Sequence, residues 1–361
     1  MMKKTCFIFL ICILIIGGCT KEKDKSAVQK PKEALNVLPP PPMPERIQAS
    51  VKRWDGIVLK KICLVVKENF PQIKGELPMS IGKPVKTILT RMGIDIVPKG
   101  SPCDATLTIK LKGQTFKAKY HFGPIGVGEC YSGGKVNGQI LLTAKGYQTL
   151  AIPINGDDPV PEKVSENWFY KHQKPEDYNF RELWFEPLID GLVALWGPQV
   201  LVCALDVTKS GATYWRNAPI YSRLMKIGPV DEVVNALIYA LQDSNHTLKK
   251  YAANMFGEFA PNAKEGIPFL SQVLIEEVKG RLKKELKYWV NWDVAIALGK
   301  YGPAAKYAVP NLIKAYYIAK KEQNYLKGVD THCADALEKI TGKSSGWEDW
   351  WKRHKTRNKT E

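Results

Sequence analysis

The chain has 361 residues, 45% of them hydrophobic, and 53 Lys or Arg stand against 36 Asp or Glu for a formal charge of +17. This is an ordinary globular composition, sufficient for about two domains with sizeable cores, and it excludes a low-complexity or fibrous chain. A pI near 9.3 would ordinarily raise nucleic acid as a partner. The charge is uneven: residues 51 to 156 hold 16 Lys or Arg against 6 Asp or Glu, and residues 229 to 361 hold 21 against 16. The basic excess therefore belongs mainly to the first folded unit.

Residues 1 to 18 read as a secretion signal. Lys3 and Lys4 precede the apolar run Phe7 to Ile16, then Gly17 and Gly18 lead to Cys19. An apolar run of that length is too short for a hydrocarbon core, which needs about 20 residues. The ending Ile16-Gly17-Gly18-Cys19 resembles the bacterial lipobox. That resemblance implies cleavage before Cys19, a diacylglyceryl group on its thiol, and a lipid-anchored protein of the cell envelope. Thr20 follows, where enterobacterial lipoproteins kept at the inner membrane usually show aspartate, so the resemblance favours the periplasmic side of an outer membrane in an organism that has one. The same location argues against nucleic acid, and it offers lipid headgroups and cell-wall polymers as anionic partners instead.

Residues 19 to 45 form a polar, Pro-rich segment, from Lys21-Glu22-Lys23-Asp24-Lys25 to the run Pro39 to Pro42 and Pro44. It cannot bury enough apolar area to fold, and its prolines favour extended polyproline geometry, so it is expected to act as a disordered tether.

Residues 46 to 156 predict a basic α+β domain, one helix on a mainly antiparallel sheet. Ile62 to Val66 reads as a buried strand. Pro84 to Gly93 has proline at a helix start and glycine at its end. Ile94 to Val97 follows as a strand. Ala105 to Leu111 alternates with period two, Lys112-Gly113-Gln114 breaks it, and Thr115 to Tyr120 resumes; Gly138 to Thr143 and Tyr147 to Ile154 flank a turn at Lys145-Gly146. Lys110, Lys112, Lys117 and Lys119 are the candidate surface for an anionic partner.

Of the five cysteines beyond Cys19, Cys103 and Cys130 flank the expected hairpin and are the pair assigned a possible disulfide. Cys63, Cys203 and Cys333 sit in apolar runs, as small buried hydrophobes would.

From residue 157 to 345 the period becomes helical, beginning with an apolar helix over Phe180 to Trp196. Phe256 to Leu270 matches Leu298 to Leu312 at a constant offset of 42, within the roughly 40 to 47 residues of two-helix repeats. Shared features are Gly257 and Gly299 near a helix end, Pro261 and Pro303 in the turn, and Pro268 and Pro310 early in the next helix. These residues resemble HEAT-like repeats of the kind also seen in some lyases. The resemblance covers about residues 197 to 345, with partial copies at Ile227-Gly228-Pro229 and Ala334 to Gly342, and it implies an all-α solenoid. The charged insertion Glu276 to Lys287 departs from it. Residues 346 to 361, with Trp347, Trp350 and Trp351 before Lys352-Arg353, read as a terminal cap and tail; an interfacial role for these aromatic and basic residues is the alternative.

Reactive chemistry finds little footing. Ile340 to Ser344 ends like a phosphate-binding loop but lacks its first glycine, position 337 being leucine. Gly123, Gly126 and Gly128 suit a turn or bulge. The five histidines have no metal-ligand spacing. Asp157-Asp158 and Glu176-Asp177 suit loops or helix starts. The expectation is a non-enzymatic envelope lipoprotein that binds protein partners through its repeats, with no metal, no nucleic acid and no small-molecule cofactor. The alternatives are a binder of anionic lipid or cell-wall polymer, and an enzyme or accessory subunit of the HEAT-like lyase type.

Overall fold

The computed structural model describes residues 39, 42–44, 50–51, 53–70, 81–121, 127–161, 163, 171, 181–207, 213–282 and 290–354. The chain forms a small N-terminal sheet region followed by a helical region. Cys19, the signal segment and most of the tether lie outside the described residues.

The sheet region opens with a short antiparallel pair, β1 (Ser50–Val51) and β2 (Ile57–Val58). Five strands then form one sheet: β3 (Lys61–Asn69), β4 (Asp95–Val97), β5 (Ala105–His121), β6 (Val127–Thr143) and β7 (Leu150–Asp158), in the order β4-β3-β5-β6-β7. β3 runs parallel to both β4 and β5, whereas β5, β6 and β7 are antiparallel. The sheet is thus antiparallel over its longest ladders, as expected, and parallel on both sides of β3. The crossover helix between β3 and β4, α1 (Gly82–Arg91), is what makes a parallel pair possible. It ends where expected: Gly93 takes φ 83°, its N–H bonds the Thr90 carbonyl, and the Ile94 N–H bonds Leu89, a Schellman closure.

β5 is a single 17-residue strand, not two strands broken at Gly113. Gly113 pairs with Val136 and Gln114 with Lys135, so the ladder to β6 runs through the expected break. The irregularity falls on the partner strand: Phe116 faces Gly133 and Lys117 faces Tyr131, leaving Ser132 as an extra residue in β6, a β-bulge.

Two helices cover the sheet, where one was expected. α1 lies over β3 and β4, and α2 (Arg181–Trp196) lies over β6 and β7. Small residues allow that approach: a Cβ on Gly191 would stand 2.5 Å from Ile140 Cδ1, and one on Gly156 only 2.0 Å from the Leu183 carbonyl oxygen. Ile62, Leu107, Ile109, Ile140 and Ile154 are fully buried beneath these helices, and the core continues without a break past residue 157 into the helical region.

After α3 (Gln199–Ala204) come α4 (Thr213–Ile227), α5 (Asp231–Leu241), α6 (His246–Phe259), α7 (Ile267–Leu282), α8 (Val290–Lys300), α9 (Val309–Lys321), the short α10 (Gln323–Leu326), α11 (Val329–Thr341) and α12 (Trp347–His354). Helices α4, α6, α8 and α11 contact one another in sequence along one row, and α5, α7, α9 and α12 along a second. The 42-residue offset maps the start of α7 at Ile267 onto the start of α9 at Val309. Successive contacts also repeat. A Cβ on Gly257 would meet Ala297 Cα at 3.2 Å, and one on Gly299 would meet Ala336 Cα at 3.2 Å, each beside a lysine methylene. Tyr301 donates to the Ala263 carbonyl (2.7 Å), and Asn311 Nδ2 donates to Ser271 O and Oγ (3.0 Å each). The charged insertion begins as the last turns of α7, and residues 283–289 lie outside the described set.

Trp347, Trp350 and Trp351 are buried where α12 closes against α9 and α11. The Trp347 indole N–H donates to the Lys343 carbonyl (2.7 Å) and its ring meets Tyr316 edge-on. Gly342, with φ 70°, is the C-cap of α11. The Gly342-Lys343-Ser344 string therefore closes a helix, whereas a phosphate loop would open one.

Candidate functional site

The helical row α5-α7-α9 carries the most informative surface. α5 follows the Gly228-Pro229 turn and presents Tyr239; the 3-10 turn Gly302–Ala308 before α9 presents Tyr307. Both reach the Pro-rich segment. The Tyr239 hydroxyl donates to the Pro44 carbonyl at 2.7 Å, and the Tyr307 hydroxyl donates to the Pro39 carbonyl. Burial pushes the Tyr307 phenol above its usual range. Two carbonyls of the Pro-rich segment, those of Pro39 and Pro44, are thus hydrogen-bonded to the helical region.

A cavity of about 250 Å³ opens beside Tyr239, between α1, α3 and α5. Its polar groups are largely committed. Arg91, at the end of α1, donates through Nη1 to the Cys203 and Leu205 carbonyls (3.0 and 2.8 Å) and lies 3.8 Å from Asp243. It thereby satisfies the C-terminal carbonyls of α3 and ties the sheet region to the helical one. The Oε1 atom of the buried Gln199 faces this region without a protein partner. Among the described residues no group of three or more His, Cys, Asp or Glu is placed to hold a metal.

The four candidate lysines do not make one surface. Lys110 and Lys112 are exposed on the face of the sheet opposite the helices, and parallel pairing sets Lys67 of β3 directly beside Lys110. Asn137 and Gln139 of β6 complete that shallow face. Period-two alternation puts Lys117 and Lys119 on the other side of β5. Both neighbour Glu129, at 2.9 and 3.7 Å. A hydrogen bond from Lys117, reinforced by its charge, holds the Glu129 carboxyl below the usual range. Lys67 is the member that sequence reasoning missed, because nothing local announces a parallel partner.

The expected Cys103–Cys130 disulfide is not formed, since both are free cysteines. Cys130 faces Ala118, whereas Cys103 precedes the strand start whose Thr106 faces Thr143. Thr106 to Ala118 at about 3.3 Å per residue is about 40 Å, far beyond disulfide reach. The neighbour of Cys103 is Cys63. The connection from β4 back to β5 crosses β3 above Cys63, whose thiol meets the Pro98 and Ser101 carbonyls (3.5 and 3.6 Å). A hydrogen bond with the Cys103 side chain, then burial, pushes the Cys63 thiol up. Cys203 and Cys333 are buried, and burial pushes Cys333 far above the usual thiol range.

Asp157 and Asp158 end β7, where Asp157 pairs in register with Lys135, so they are strand residues rather than helix starts. Glu176, Asp177, His172, Gly123 and Gly126 lie outside the described residues, and Gly128 is in β6. The other histidines are dispersed. His121 ends β5, His246 lies 3.3 Å from the buried Glu277, His332 meets the Trp292 ring, and His354 stacks on Trp350. Among the described residues no helix is long and apolar enough to cross a membrane.

The chain matches no protein-family model, and no curated protein matches it.

Proposed function

We propose that this protein is a bacterial envelope lipoprotein, anchored by lipid on Cys19, whose helical region is a HEAT-like solenoid acting as a non-enzymatic scaffold for a protein partner. The observation that carries this reading is the near-identical stacking contact at two successive interfaces, Gly257 on Ala297 and Gly299 on Ala336. A pair of helices cannot bury its own apolar face, so repeated stacking of this kind builds an elongated body with a broad surface suited to protein ligands. The helical region supports the reading further, since Tyr239 and Tyr307 already donate to two carbonyls of the Pro-rich segment.

Crosslinking of the lipidated protein in cells followed by affinity capture is the test. The expected result is one protein recovered repeatedly, and recovery of none across independent crosslinkers sinks the scaffold. Cys19→Ser should move the protein from the membrane to the soluble fraction, and retention as firm as wild type overturns the anchor.

A second reading rests on the open lysine face. Lys67, Lys110 and Lys112 lie together with amide side chains, and Glu68, the carboxylate that also lines this face among the described residues, accepts a hydrogen bond from the Ile81 N–H; the cationic excess suits an anionic lipid or cell-wall polymer. Binding to anionic vesicles or sacculi that disappears by about 0.5 M salt supports it, because exposed charges are strongly screened there.

A further inference from the structure

We infer that α5 and the turn before α9 form a site for a proline-rich chain, read through its backbone carbonyls, and that Pro39 and residues 42–44 are its built-in occupant. The inference rests on the scaffold reading and gives it a ligand class. Tyr239 and Tyr307 come from elements 68 positions apart, yet both hydroxyls donate to carbonyls of one six-residue stretch. Proline has no N–H, so such a stretch forms no strand ladder, and its carbonyls remain available to outside donors. The polyproline conformation is also preformed, so docking costs little chain entropy. Met43 is 40% exposed within the docked stretch. Pro39 and Pro42 are exposed as well, so the donors address the main chain and the surface accepts other proline-rich sequences. A partner segment of this class must displace Pro39 and Pro44 from the two hydroxyls, and their covalent attachment holds them at an effective concentration near millimolar.

The test compares binding of a fluorescent peptide of residues 36–47 to the intact chain and to a chain lacking residues 38–44, by anisotropy. The shortened chain is expected to bind the peptide, and the intact chain about tenfold more weakly because its own segment competes. Tyr239→Phe with Tyr307→Phe in the shortened chain removes both hydroxyl donors and is expected to weaken binding by about tenfold or more. Failure of the folded shortened chain to bind, equal binding by both chains, or indifference to the two phenylalanines overturns the inference. A second measurement uses the full chain: benzoylphenylalanine in place of Tyr307 should photocrosslink to the tryptic fragment Glu33–Arg46, and crosslinks only to other fragments overturn the docking. A scaffold with another specificity would fail here while still capturing its partner from cells, so the two failures are distinguishable.

Discussion

The sheet region and the helical region are of similar apolar character but are held together in different ways. In the sheet, strands remote in sequence depend on one register: Ile62 faces Ala105, and Thr106 faces Thr143. In the helical region the helices of each row contact the next in sequence among the described residues, and the approach of Gly257 to Ala297 recurs at Gly299 and Ala336. A register-bound sheet loses its structure as one unit, whereas a stack of neighbours can lose an end and keep the rest.

The largest expected effect breaks this comparison most directly. Ile140→Ala empties a fully buried position under α2 and should cost about 4 kcal/mol. Trp350→Ala removes a cap side chain and should cost about 3 kcal/mol. Hydrogen exchange separates them: the first should lower protection across β3 to β7 together, the second only in α11 and α12. Uniform loss across the whole chain in both variants would make the two regions one cooperative unit.

Gly299→Leu should cost about 2 kcal/mol, because α8 must be pushed off Ala336. Denaturant unfolding of this variant should show a second, earlier transition confined to the last helix pairs, and a single unchanged transition would contradict the neighbour-only picture.

A smaller effect has the opposite sign. Burial pushes the Asp293 carboxyl above its ordinary 3.8, with Lys250, Asn254 and His332 partly opposing the shift. A raised carboxyl penalises ionisation in the folded state, so stability declines as pH rises through that window and the deficit is complete at neutral pH. Asp293→Asn should therefore raise Tm at pH 7 by about 1 to 2 °C, with a smaller gain at pH 3. Equal gains at both pH values would locate the effect elsewhere.

Least affected is the open sheet face. Replacing Lys67, Lys110 and Lys112 together by alanine should change stability by no more than about 0.5 kcal/mol, while reducing binding to anionic vesicles several-fold. Loss of folding would mean that the face is covered by part of the chain.

Legibility followed the same division. The helix ends and turns were readable because Gly299, Pro303 and Pro310 act locally, and the 42-residue offset carries them from one copy to the next. The edges of α1 and the turn at Gly146 were readable for the same reason. What escaped was non-local. Gly113 looked like a strand break, but cross-strand pairing with Val136 overrides a weak local preference. The lysine surface was misread because Lys110 and Lys112 differ in parity from Lys117 and Lys119 once β5 is continuous. Lys67 could join Lys110 only through a parallel pairing, and Arg91 could meet the Cys203 carbonyl only through a packing contact 112 positions away. The cysteine pairing failed on the same misjudged hairpin.

The two close glycine approaches, where an added Cβ would stand 3.2 Å from an alanine Cα, have a further consequence. Where helices meet through glycine and alanine, the spacing between successive pairs is fixed by main-chain atoms and single methyl groups. Side chains on the outer row then resemble cladding on a frame: they can be exchanged across generations of sequence change without altering the pitch beneath them. A surface of that kind can acquire a new ligand while the chain continues to fold as before.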